Sequence, residues 1–201
     1  MCAGGSRREI LWADDALELL IEIDEHGKAR LVRMVPRESG GGRCDGHDSA
    51  SGSVRTAGLP LVDIVVSGSG RAWSGRRYAE SVVGGRLCYV RHEESKQAPW
   101  RELRVHLEDA DTGLGAEVAY TALEDGGVLR ARVRLFNGGQ AAVTLESVTS
   151  FLCSGLTDPA DSLGDIDLLW AENDWLAEHR WQSRSLRDAL PDLHRNQLSG
   201  I

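Results

Sequence analysis

The sequence predicts an all-β protein, an antiparallel β-sandwich, on three observations. Apolar and polar residues alternate with period two over long stretches. Turn-forming pairs separate these stretches at short intervals, and no helical stripe precedes Asp158. The composition agrees. A chain of 201 residues, 41% hydrophobic with 23 glycines, is long enough for one domain with a sizeable core. It is unlike collagen, a long coiled coil or a wholly disordered chain.

In chain order, residues 17–23 read as a strand, and Asp24-Glu25-His26-Gly27 reads as a turn into a second strand at 29–35. Residues 61–66 and 86–91 are further strands, with Gly68-Ser69-Gly70 a turn after the first. From Trp100 the alternation is plainest. Leu103, Val105 and Leu107 share one face, and Arg104, His106 and Glu108 the other. Ala116, Val118 and Tyr120 continue the apolar face after a polar turn. Asp125-Gly126 supplies a pair that tolerates positive φ in a tight hairpin. Leu129, Ala131, Val133 and Leu135 then point inward, and Arg130, Arg132 and Arg134 outward. Asn137-Gly138-Gly139 is a second hairpin signal, so residues 141–151 are expected to complete a four-stranded meander.

Two regions break the pattern. Residues 37–59, with Gly40-Gly41-Gly42 and Ser49-Ala50-Ser51-Gly52-Ser53, read as a long surface loop, longer than most connections in compact domains. A Trp-dense tail, 168–193, has no clear period, and Pro191 would stop a helix there.

A net charge of −8 argues against a nucleic-acid partner, which would call for a basic face. No run approaches a membrane span of about 18 apolar residues. No signal-peptide core follows the N-terminus either, so no membrane association and a cytoplasmic location are expected. Cys2, Cys44, Cys88 and Cys153 are widely spaced and are expected to be free, structural thiols.

Candidate chemistry is sparse. Cys44-Asp45-Gly46-His47-Asp48 holds zinc-ligand types but lacks a second ligand pair nearby, and reads as a polar loop tip. Asp158, Asp161, Asp165 and Asp167 lack the glycine and glutamate of an EF-hand and read as a solvated acidic turn. Arg130, Arg132 and Arg134 could grip an anion, but pairing with Glu117 and Glu146 on flanking strands accounts for them more simply. There is no nucleophile elbow, P-loop or dinucleotide fingerprint. Of six tryptophans, Trp100 is expected in the core. Trp170, Trp175 and Trp181, outside the regular strands, are open to a surface role such as stacking on sugar rings.

Several segments together resemble the N-terminal domain of bacterial α-galactosidases of glycoside hydrolase family 36. They are Ile10-Leu11-Trp12 with Leu17-Glu18-Leu19, then Gly27 and Arg30-Leu31-Val32-Arg33. Leu59-Pro60-Leu61-Val62-Asp63, the stretch from Ser74 to Ser81 and Arg86-Leu87-Cys88-Tyr89-Val90 are also similar. The most specific is the segment from Leu169 to Arg180, where Trp175 and Glu178 match the family's Trp-x-x-Glu.

The resemblance implies that residues 1–201 are the β-sandwich domain, a galactose-mutarotase-like supersandwich, of an enzyme that removes terminal α-galactose by a retaining mechanism. Its catalytic aspartates sit on a (β/α)₈ barrel, and the nucleophile motif Lys-Trp-Asp-x-Asn-Arg is not in this sequence. The chain is therefore expected to be a non-catalytic fragment, incomplete at its C-terminus, with no catalytic residue, metal or cofactor of its own. Its expected partners, in the complete enzyme, are an α-galactoside and further copies of itself in a homo-oligomer. In some family members a loop of this domain lends an aspartate and a tryptophan to a neighbouring subunit. The corresponding residues 37–59 contain Asp45 and Asp48 but no tryptophan, and that role is not transferred. The alternative is a stand-alone carbohydrate-binding or oligomerisation module.

Overall fold

The structure, a computed structural model, describes residues 5–14, 16–36, 58–70, 81–124, 126–153 and 166–189. The chain divides into two compact units, 1–157 and 158–201. The first unit is built on two four-stranded antiparallel sheets. One runs β1 (Arg8–Ala13), β2 (Leu17–Ile23), β3 (Ala29–Pro36) and β4 (Leu59–Pro60). Between β4 and the second sheet come β5 (Ile64–Val66) and a short helix, α1 (Val82–Arg86). The second sheet is a meander of β6 (Cys88–Gln97), β7 (Trp100–Asp109), β8 (Leu114–Leu123) and β9 (Leu129–Asn137).

Alternation places one face of each sheet in a shared core. Ile10, Trp12, Leu19, Ile21 and Leu31 come from the first sheet, and Leu103, Val105, Ala116, Val118 and Tyr120 from the second. Transfer of these side chains out of water is the main stabilising contribution, about 25 cal/mol per Å² of apolar surface. Pairing remains antiparallel throughout, and the predicted sandwich is found.

Two bulges adjust the faces. In the β2–β3 pair, Ile21 opposes Leu31 while Leu20 opposes Arg33, so Val32 is the extra residue. The one-residue shift turns Arg33 outward and lets Met34 pack on the core. In the β6–β7 pair, Tyr89 opposes Leu107 and Arg91 opposes His106, leaving Val90 bulged and exposed.

Three expectations about the meander need correction. Its first strand is β6, which precedes Trp100 and is joined to β7 by the two-residue turn Ala98-Pro99. The segment expected to close it leaves the sheet. β10 (Leu145–Val148) pairs instead with β5, whose three β-branched residues are buried and need a ladder partner. Trp100 is 47% exposed rather than in the core, because the inward positions of β7 are odd-numbered and Trp100 falls out of phase. In the hairpin after β8 the positive φ (57°) belongs to Gly127.

The second unit contains an antiparallel hairpin, β11 (Asp167–Asp174) and β12 (Ala177–Ser185), followed by the single turn α2 (Leu186–Ala189). The Trp-dense tail therefore does have a period, and Trp170 and Trp181 stand on regular strands. Trp175 and Leu176 form the connecting turn, with Leu176 at φ 61°.

Candidate functional site

Among the described residues of the first unit lies an open cleft of about 350 Å³. It is lined by Lys28, Arg86, Val90, Glu108, Asp109 and Asp111, among others. Three turns bring these residues together. Asp24 fixes the β2–β3 turn, its Oδ1 accepting from the His26 and Lys28 amides at 2.9 and 2.8 Å, and Gly27 provides the required φ of 75°. Arg86 ends α1, and Asp109 and Asp111 begin the β7–β8 turn.

At the floor lies Asp109, 1% exposed. Arg86 donates from Nε to both of its oxygens at 3.1 and 3.2 Å and from Nη2 to Oδ2 at 2.9 Å. The Thr112 hydroxyl donates to Oδ2 at 2.7 Å and the Asp111 amide to Oδ1 at 3.2 Å. Burial by itself would raise the carboxyl pKa, but the donors led by Arg86 outweigh it and hold Asp109 below the usual carboxylate range. The same hydrogen bonds raise Arg86 further above its ordinary value. Lys28 donates from Nζ to the Leu87 carbonyl at 3.3 Å and lies 3.5 Å from the Cys88 sulfur. Burial pushes its ammonium down despite nearby Asp24 and Asp109.

Beside the cleft a buried polar cluster holds α1 in place. The Ser81 hydroxyl caps the helix by accepting from the Gly84 amide at 2.9 Å. The Ser81 amide donates to Asp63 Oδ1 at 3.0 Å. A Cβ on Gly84 would lie 2.1 Å from that oxygen, which accounts for glycine there.

The sequence-predicted candidates are distributed differently. Cys44, Asp45, His47 and Asp48, with 37–57 generally, and Asp158, Asp161 and Asp165 lie outside the described residues, as does Trp73. Asp167 opens β11. Cys88 is disulfide-bonded, contrary to the expectation of free thiols, and its partner lies outside the described residues; Cys153 is free. Arg130, Arg132 and Arg134 do alternate outward on β9. Glu117 is the register partner of Arg134, but its carboxylate is 4.0 Å from His106 and no ion pair joins it to the arginine. Glu146, on β10, is not on a strand flanking β9. Among the described residues no group of three or more His, Cys, Asp or Glu is placed to hold a metal.

The tryptophans separate into two environments. Trp12 is buried in the first unit's core. In the hairpin, Trp175 is 88% and Trp181 66% exposed, and Arg184 stacks over Trp170. Leu169, Ala171 and Trp181 share one hairpin face.

The cleft was not legible beforehand because its residues come from three separated turns. The available signal was an Asp-x-x-Thr turn at Asp109–Thr112, which resembles many ordinary loops.

Comparison with known proteins defines the setting. The chain is similar in structure to an α-galactosidase from Lactobacillus brevis, with a TM-score of 0.56 and 16% identity. The match covers 93% of this chain and 28% of that one. It is also similar to a family 36 α-galactosidase from Geobacillus stearothermophilus (TM-score 0.53, 14% identity), covering 89% of this chain and 28% of the other. A variant of that enzyme in complex with 1-deoxygalactonojirimycin gives a TM-score of 0.54, 13% identity and the same coverages. At these identities the likeness is one of fold, and the chain spans little more than a quarter of the length of these enzymes. No curated protein sequence matches it. Residues 72–190 match the glycosyl hydrolase family 36 N-terminal domain. The match includes the Trp175–Glu178 segment but not the resembling strands near Ile10 and Arg30. Since it takes in more than half of the sequence, the chain belongs to the glycosyl hydrolase family 36 N-terminal domain family.

Proposed function

We propose that this chain is the non-catalytic N-terminal β-domain of an α-galactosidase that, when complete, releases terminal α-galactose from oligosaccharides with retention. The observation that carries the reading is the pairing of a family match over 72–190 with coverage of only 28% of solved α-galactosidases. Chemistry of this type needs two carboxyl groups about 5 Å apart across a sugar-sized site. Among the described residues, the cleft carboxylate held by the Arg86 fork, Asp109, is sealed from solvent by Arg86 and Thr112. It is thus a structural anion rather than a nucleophile. The apolar hairpin face of Leu169 and Trp181 is suited to packing against the remainder of such an enzyme or against a second subunit.

The test is to assay the purified 201-residue chain on an aryl α-galactoside and to read the coding sequence downstream of Ile201. We expect no turnover, and a downstream barrel carrying Lys-Trp-Asp-x-Asn-Arg. Turnover by the chain alone would overturn the non-catalytic assignment. A second reading, a carbohydrate-binding module, is favoured by one observation, the exposure of Trp175 and Trp181. Quenching of their fluorescence by galactose or raffinose would support it.

A further inference from the structure

We infer that the outer edge of β9 is a docking site for an acidic extended peptide, a partner strand in which carboxylate residues alternate with apolar ones. The inference goes beyond the enzymatic reading and rests only on the meander, where every residue of β7, β8 and β9 is described.

β9 is the last strand of its sheet and pairs with β8. The Leu123 amide donates to the Val128 carbonyl and the Gly138 amide to the Gly113 carbonyl, so hydrogen-bonded pairs flank the strand at both ends. Such pairs recur at every second residue of an antiparallel ladder. Arg130, Arg132 and Arg134 therefore turn their backbone groups toward β8, and Leu129, Ala131, Val133 and Leu135 turn theirs outward. Among the described residues no backbone group pairs with this outer edge. The ladder with β8 has no bulge and the strand has no proline, so two common barriers to strand addition are missing.

The side chains select the occupant. Leu129, Ala131, Val133 and Leu135 are half-buried on the rim of the core, and an added strand covers them best with apolar residues of its own. On the opposite face Arg130, Arg132 and Arg134 are exposed and recur about every 6.8 Å. None has an ion-pair partner among the described residues. Glu102 is engaged by Arg104 and Thr121, and Glu117 lies beside His106. Carboxylates at alternate residues of an added strand share the arginine spacing and stand opposite or diagonal to the guanidiniums. A second copy is the wrong occupant. Antiparallel pairing of β9 with itself about its middle sets Arg132 against Arg132 or Arg134 on one face. The arginines thus close the edge to β9 itself and leave it open to an acidic strand.

The test is amide hydrogen exchange, read by ¹H–¹⁵N NMR on the whole chain, alone and with the peptide acetyl-(Glu-Val)₄-Glu-amide. In the free chain the amides of Leu129, Ala131, Val133 and Leu135 should exchange fast and those of Arg130, Arg132 and Arg134 slowly. Saturating peptide should slow the first four at least about tenfold. The lysine counterpart, acetyl-(Lys-Val)₄-Lys-amide, should bind at least about tenfold more weakly through charge. The glutamate peptide N-methylated at every residue keeps the charge but loses the ladder donors, and should weaken by a similar factor. So should the chain carrying Arg130→Gln, Arg132→Gln and Arg134→Gln together; if that variant fails to fold, the peptide series decides alone. Slow exchange of the four amides in the free chain would show the edge already paired and overturn the inference. No slowing with the glutamate peptide, equal binding of the lysine or N-methylated peptide, or equal slowing by inorganic polyphosphate would overturn it too.

Discussion

Arg86 and Asp109 form a forked ion pair in which the arginine is one-third exposed and the aspartate is almost wholly buried. The asymmetry makes the carboxylate dependent on its partner, because an unpaired buried anion is costly whereas a solvated guanidinium is not. Replacing Arg86 with Ala should destabilise the chain by about 2–3 kcal/mol, somewhat less than for a pair buried on both sides. Urea denaturation followed by tryptophan fluorescence measures this.

The same pair sets an acid limit. The Asp109 pKa is lowered on folding, so its stabilising contribution is complete above the unfolded carboxylate value of about 4 and is lost as pH falls toward the folded value. Stability measured between neutral pH and pH 3 should decline more steeply in the parent chain than in Asp109→Asn. Equal slopes would show that Asp109 is not the titrating group.

Gly84 closes on the Asp63 carboxylate so tightly that Gly84→Ala must displace α1 or break the Ser81–Asp63 cluster. The expected cost is about 1–3 kcal/mol, the range for overpacking a filled site. Gly85, one residue on, has open space, and Gly85→Ala is the control with little change.

Tyr120 presents the opposite situation. Its ring is fully buried, edge-on to Phe151, and its hydroxyl has no hydrogen-bond partner among the described residues. Tyr120→Phe should leave stability unchanged or raise it by up to about 1 kcal/mol. Burial, reinforced by Cys153, also raises the phenol pKa. The neutral form therefore stabilises the fold fully below about pH 10, the unfolded value, and that contribution is lost as pH rises beyond it. Alkaline unfolding should be shallower in the phenylalanine variant.

Tryptophan substitutions should divide by burial. Trp12→Ala removes a fully buried side chain and should cost about 3–5 kcal/mol. Trp175→Ala, at an exposed turn, should change stability by less than about 0.5 kcal/mol. Iodide quenching should reach Trp175 and Trp181 and spare Trp12.

Period-two alternation was sufficient to identify β7, β8 and β9, and to assign Leu103, Val105 and Tyr120 to the core, because burial on one face is a local property of a strand. Tight-turn residues likewise marked the bend at Gly27 and the bend after β8, where the positive φ falls at Gly127 rather than at Gly126. Alternation reports which face is buried but not which strand lies alongside. The transfer of β10 to β5, the phase that exposes Trp100 and the bulge at Val90 thus emerged only with the assembled sheets. Glu117 shows the same limit, since register set it against Arg134 while its carboxylate came nearest to His106. The cleft is the clearest case. Lys28, Arg86 and Asp111 belong to turns separated by strands and a helix, and packing of the two sheets alone brings their charges to one place.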